Sequence, residues 1–184
     1  LTMSSETQVL ELSSEGLRVF CEFRDRIKLL HECASLHRLL QRFPIDPNFR
    51  KLNSAVRRDM YNVFIIVFAQ NQDVVIDPLI NLYQTFREHL RAGQRELIQE
   101  EFLIIVDFTM GISSGTTSNT FNHVWRKFLL PFYNELPEVL RVMHKCSIVV
   151  QAILELLFHL STCFSIYFKD EVKTQHNLLI QRQA

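Results

Sequence analysis

The chain has 184 residues, with 20 basic and 20 acidic side chains and no formal net charge. That balance leaves no electrostatic footprint for nucleic acid or an anionic membrane, whose recognition rests on clustered positive charge. An apolar fraction of 47% excludes disorder over most of the length, and only four glycines leave too few tight turns for a β-rich or doubly wound fold. Long helices are the class that remains, and fifteen phenylalanines suit interlocked helix packing.

Residues 1–14 are polar apart from Val9, Leu10 and Leu12. After Ser14, an expected N-cap, the positions Leu17, Phe20, Ile27, Leu30, Ala34, Leu36 and Leu40 recur near the helical period, until Pro44 and Pro47 end the helix. Its HECASLH segment brings His31, Cys33 and His37 close in sequence. Cys33 and His37 share a face, His31 points away, and no further ligands recur at zinc spacing, so no metal site is expected. A second helix over 49–72 is basic at first and then apolar. Its Arg57-Arg58 pair is expected to be solvated, and the β-branched run 64–68 continues the helical pattern on both sides. After Asn71, Gln72 and Asp73, a third helix is expected to start with Asp77 as N-cap and Pro78 in its first turn. Leu79, Leu82, Tyr83, Phe86 and Leu90 form one face of it, and Asn81, Gln84, Glu88 and Arg91 another, with Gly93 as its terminator.

The fourth helix opens with Glu96, Glu100 and Glu101, suited to a helix N-terminal half, and is expected to close at Gly111 and Gly115. The GISSG segment at 111–115 matches G-x-S-x-G, the nucleophile elbow of serine hydrolases, with Ser113 in the middle and His123, His144, His159 and His176 further on. That chemistry needs a strained strand-to-helix turn within an α/β sheet. With no strand–helix alternation elsewhere, the expected reading is a Gly/Ser loop between helices and no catalysis. A fifth helix, capped by Ser118 or Asn119, is expected to bury Phe121, Val124, Trp125, Phe128, Leu129 and Phe132. Pro131 and Pro137 should kink or divide it, and Arg126-Lys127 should be solvated.

Residues 146–168 are the most apolar stretch, long enough to cross a bilayer at about 20 residues. Gln151, Glu155 and His159, spaced i, i+4, i+8, make one polar stripe on it, and a mid-bilayer carboxylate costs at least ~2.5 kcal/mol. The expectation is therefore a helix packed on several sides with that stripe reaching water, a Glu155–His159 hydrogen bond along it, and no membrane insertion. The tail after Asp170 is polar, with an apolar patch at 178–180 that starts or joins another helix. The cysteines, Cys21, Cys33, Cys146 and Cys163, show no close pairing and are expected to be reduced, buried thiols of an intracellular protein. No signal peptide is expected, and a start at Leu1 is expected of a piece cut from a longer chain.

The fold class that follows is all-α: about six or seven helices in antiparallel hairpins stacked as HEAT-like repeats, one segment over 1–184 of a longer solenoid. The hairpins fall at 14–43 (partial), 49–92, 95–145 and 147–184, and the second is about one HEAT repeat of ~40–47 residues long. Phe64, Phe68, Phe86, Phe102, Trp125, Phe128, Leu154 and Phe158 are expected in the core.

The segments LNSAVRRDMYNVFIIVFA, QEEFLIIVDFTMGISSGT, FNHVWRKFLLPFYNELPEVLRVM and AILELLFHLSTCFSIYF, taken in order over 52–168, resemble consecutive HEAT helices of the karyopherin-β nuclear transport receptors, in the exportin branch. The resemblance implies a superhelical receptor that binds protein cargo with Ran-GTP, crosses nuclear pores on the Phe-Gly repeats of nucleoporins, and works in nucleus and cytoplasm without a cofactor. In a HEAT stack the second helix of each pair lines the concave, partner-binding face. Here those helices are 77–92 and 119–143, and Gln84, Glu88, Arg91, Asn122 and Arg126 are the protein-binding candidates, mixed in charge as suits a protein partner. The alternative is a HEAT/ARM-type scaffold of a multiprotein complex with no part in transport.

Overall fold

A computed structural model describes the backbone of residues 5–183 and the side chains of residues 8–167. The elements are α1 (Ser5–Phe20), α2 (Arg24–His31), α3 (Ala34–Arg42), α4 (Pro47–Arg50), α5 (Ser54–Val67), α6 (Asp73–Ala92), α7 (Arg95–Gly115), α8 (Ser118–Val124), a π-helical turn (Trp125–Leu129), α9 (Leu130–Met143) and α10 (Ser147–Gln183). The chain is all-α, and no strand occurs among the described residues.

Local chemistry sets most of these boundaries. The Asn53 side chain accepts from the Val56 N–H at 2.9 Å and caps α5. Asp46 does the same for α4, with Pro47 at its first position, where a missing N–H is harmless. Gly93, at φ 69°, ends α6 in the left-handed conformation that a side chain disfavours. Thr117 and Thr120 form a reciprocal capping box for α8, so the cap precedes the expected Ser118 or Asn119. α6 starts at Asp73, four residues before the expected cap, and carries Pro78 inside it, leaving Asp77 free to act as an ion-pair partner. Ser14 caps nothing. It lies inside α1, buried, with its hydroxyl on the Glu11 carbonyl at 3.0 Å. The helix expected over 14–43 is broken into α1, α2 and α3. Pro131 follows a π turn in which the Leu130 N–H reaches back to the Trp125 carbonyl, while Pro137 sits within α9 without ending it. The interval 147–184 is a single helix to Gln183, not a hairpin, and the apolar patch 178–180 lies outside the described side chains.

The core is built on α7. From Glu101 to Ser113 every residue but Leu103 is buried, so this helix is enclosed on all sides. Its closest neighbour is α5. A Cβ on Gly111 would overlap the Arg58 carbonyl oxygen, and one on Gly115 would lie 2.5 Å from Ile65 Cγ2 and 2.9 Å from the Asn62 carbonyl oxygen. Both glycines thus serve backbone approach between helices. Beside that seam, the Tyr61 and Phe108 rings sit 4.1 Å apart, with Phe43 and Phe64 around them. α1 packs on α5, α5 on α7, and α7 on α10, while α3 packs on α6 and α6 on α9 and the π turn. Phe86, Phe102, Phe132 and Tyr83 fill the space between α6, α7 and α9.

Phe64, Phe68, Phe86, Phe102 and Phe128 are buried as expected, and Trp125 is half-buried. Leu154 and Phe158 are not in the core, being 62% and 74% exposed. α10 is rotated relative to the expectation. Val149, Ala152, Ile153, Leu156, Leu160 and Phe164 face inward, and Ile148, Leu154, Phe158 and Ile166 face out. By length and composition Ser147–Tyr167 is the one segment among the described residues able to cross a membrane, and 33% of its apolar window is buried in the fold.

Candidate functional site

The five expected partner-binding residues, Gln84, Glu88, Arg91, Asn122 and Arg126, are all exposed. None is tied by a hydrogen bond or ion pair among the described residues. They do not form one cluster. Gln84, Glu88 and Arg91, spaced i, i+4, i+7, make a row along α6. Beside that row runs the seam with α9, closed by Arg87–Glu135 at 2.7 Å and the Tyr83 hydroxyl donating to the Pro131 carbonyl at 3.0 Å. Lys127 extends the seam to Asp73 and Asp77 at 2.7 Å each, and His123 reaches Asp73 at 2.6 Å. Lys127 is therefore half of an ion-pair cluster rather than a solvated charge. Asn122 and Arg126 precede His123 and Lys127 by one residue and so sit about 100° around the helix from that seam.

The G-x-S-x-G segment is helical, inside the last turns of α7, and not a loop. The Ser113 hydroxyl is buried and donates to the Thr109 carbonyl at 2.7 Å, so the geometry of a strained elbow is missing. Ser114 is the serine that meets a histidine: its Oγ lies 3.2 Å from His159 Nε2. The same Nε2 lies 3.0 Å from the Met110 carbonyl, which can only accept, so Nε2 carries the proton. The Ser114 hydroxyl donates to that same carbonyl at 3.0 Å. It faces an N–H and not a base, and the pair cannot work as a nucleophile and its activator. Burial holds His159 below its usual value, opposed by the Met110 hydrogen bond and helped by the Arg58 charge. The expected Glu155–His159 bond is replaced by Gln151 donating to Glu155 at 2.8 Å.

His37 and His31 are joined by a 2.7 Å contact from His37 Nε2 to the His31 carbonyl, and both rings pack on Phe68. Cys33, expected to be buried, is exposed at the N-cap of α3, and Cys146 and Cys163 are half-buried; only Cys21 is enclosed, and burial raises its thiol to about 11. No group of three metal-ligating side chains occurs among the described residues.

Two polar features escaped the sequence reading. The first is Asp107, 4% exposed in the middle of α7. It accepts from Ser54 Oγ at 2.5 Å, Arg58 Nε at 2.8 Å, and Arg57 Nε and Nη2 at 2.9 and 2.5 Å. Arg57 also donates to the carbonyls of Arg50 and Leu52, and Arg58 reaches Glu155 of α10 at 3.9 Å. The Arg57-Arg58 pair is thus the internal counter-charge of a buried carboxylate, because an ion taken from water is retained only when paired. A lone Asp in the apolar run FLIIVDFTM was the available signal.

The second is a polar cavity of about 360 Å³ where α1, α5, α7 and α10 converge. Arg18, Arg58, Asp59, Asn62, Ser114 and His159 line it, over a floor of Met110 and Gly111. Arg18 Nε pairs with Asp59 at 3.3 Å, yet burial still raises the Asp59 carboxyl above its usual range, against the pull of Arg18. Compared with protein-family models, curated proteins and solved structures, the chain matches none.

Proposed function

We propose that the chain is a protein-binding segment of a HEAT-type α-solenoid, and that the solenoid is a nuclear transport receptor of the karyopherin-β family, exportin-like, carrying protein cargo with Ran-GTP between nucleus and cytoplasm. The observation that carries the solenoid reading is the order of packing. Helices α1, α5, α7 and α10 follow one another side by side, as do α3, α6 and α9. Stacked helical pairs produce that alternation, since each pair buries its faces against its neighbours. The transport reading rests on the resemblance of the helices over 52–168, whose order is most like the exportin-4 type.

Partner contact falls on the outer row of α6 and on Asn122 and Arg126, where exposed, unpaired polar groups of both signs meet solvent. Ran-GTP, cargo and nucleoporin Phe-Gly repeats are the partners, and α10 serves as a packed helix of the stack rather than a membrane span. The test is a pull-down from cell extract by the full-length protein carrying this segment, with and without GTP-locked Ran. Recovery of at least one partner changes with Ran-GTP, and Glu88→Lys combined with Arg126→Glu weakens capture without loss of helicity. If every partner is recovered equally in both conditions, the transport reading fails and the non-transport scaffold stands in its place.

A further inference from the structure

We propose that the cavity between α1, α5, α7 and α10 is a binding site for an uncharged carboxamide, the side chain of a glutamine or asparagine presented by a partner protein. The site stands apart from the transport reading and does not depend on it.

Asn62 is the starting point. It is 8% exposed, lies one helical turn beyond Arg58 on the cavity wall, and its amide has no hydrogen-bond partner among the described residues. The amide atoms are not sealed inside the protein: they reach the cavity, where both ends are open to a ligand. A ligand that supplies both a donor and an acceptor can pair with both ends of that amide.

The charges around Asn62 decide the class of ligand. Arg18 is matched by Asp59 at 3.3 Å, and Arg58 by Asp107 at 2.8 Å and Glu155 at 3.9 Å. An anion entering the cavity meets Asp59, whose carboxylate burial already disfavours, and a cation meets two guanidinium groups. Neither gains a free counter-charge, so a neutral polar group is favoured. The hydrogen-bond inventory narrows it further. The Ser114 O–H and the His159 Nε2–H are both committed to the Met110 carbonyl, which leaves the Ser114 oxygen as an acceptor. Each arginine keeps N–H groups beyond its ion pairs, because guanidinium has five. Donors and acceptors therefore stand side by side, with the Asn62 amide offering one of each in a single plane. A second carboxamide closes a ring of two N–H···O=C bonds with it. Met110 and Gly111 close the cavity behind these groups.

The experiment is a nuclear magnetic resonance titration of the ¹⁵N-labelled chain, following the Asn62 side-chain NH₂. The probes are N-acetyl-glutamine methylamide, its glutamate counterpart and its methionine counterpart. The expected result is a saturable shift with the glutamine probe at millimolar concentration, at least fivefold weaker with glutamate and with methionine. Asn62→Leu abolishes the saturable shift at the Gly111 and Ser114 amides. Asn62→Asp, equal in size, also loses the glutamine response, which keeps the test decisive if the leucine variant misfolds. Equal responses to glutamine and glutamate, a stronger response to glutamate, or none at all would overturn the assignment, the last leaving a water-filled cavity.

Discussion

Helices α7 and α10 are both rich in apolar residues, yet they occupy opposite roles. α7 is enclosed from Glu101 to Ser113, while α10 turns Ile148, Leu154, Phe158 and Ile166 to solvent. Hydropathy does not separate them. What does is the distribution of small residues. Gly111 and Gly115 let the α5 backbone come into contact with α7, and Thr109, Ser113 and Thr116 return their hydroxyls to their own helix at 2.7 Å, so a polar residue there needs no outside partner. α10 offers no glycine, and over residues 147–167 large side chains stand on both its buried and its exposed faces. Close approach by several neighbours then selects α7 for the centre.

The largest effect expected from breaking that asymmetry is at Asp107. Asp107→Ala leaves Arg57, 13% exposed, without its carboxylate and should cost about 3–5 kcal/mol in chemical denaturation. Next is Gly111→Ala. The new methyl group meets backbone that cannot step aside, so α5 and α7 must separate, at about 1–3 kcal/mol and several degrees of Tm. A value near zero would mean that the two helices are not in contact.

A smaller effect tests the α7–α10 contact through pH. Burial lowers the His159 pKa from 6.5, so the unfolded chain takes up this proton first. Stability is therefore full above the unfolded value and falls as pH drops below 6.5 toward the folded value. His159→Gln should flatten that part of the stability profile relative to the parent chain. The smallest effect belongs to the outer face of α10: Leu154→Gln with Phe158→Gln should change stability by no more than about 0.5 kcal/mol. A loss several times larger would show that this face is covered in solution.

The helical class, the five buried phenylalanines and the Gly93 stop were legible from sequence because each rests on local rules: few turns, a 3.6-residue period, a left-handed terminator. What failed was rotation and partnership. The stripe Gln151, Glu155, His159 marks a polar line on α10, but periodicity cannot say whether such a line faces water or a neighbour. Here Gln151 and Glu155 are exposed, and His159 turns inward to the Met110 carbonyl, 49 residues away in sequence. Arg57 and Arg58 read as surface because the carboxylate that holds them lies on α7. GISSG read as a loop because glycine marks turns as often as it marks helix contacts. The candidate cavity was beyond reach for the same reason, since four separate helices supply its walls.

Hydrogen–deuterium exchange tests most directly whether α7, and not the more conspicuous apolar helix, is the centre of the fold. Amides of residues 104–113 should be the slowest to exchange in the chain, approaching the protection set by global unfolding, with those of 154–165 exchanging faster through local opening. If residues 154–165 are the more protected, α10 is the organising helix and the arrangement described here is wrong.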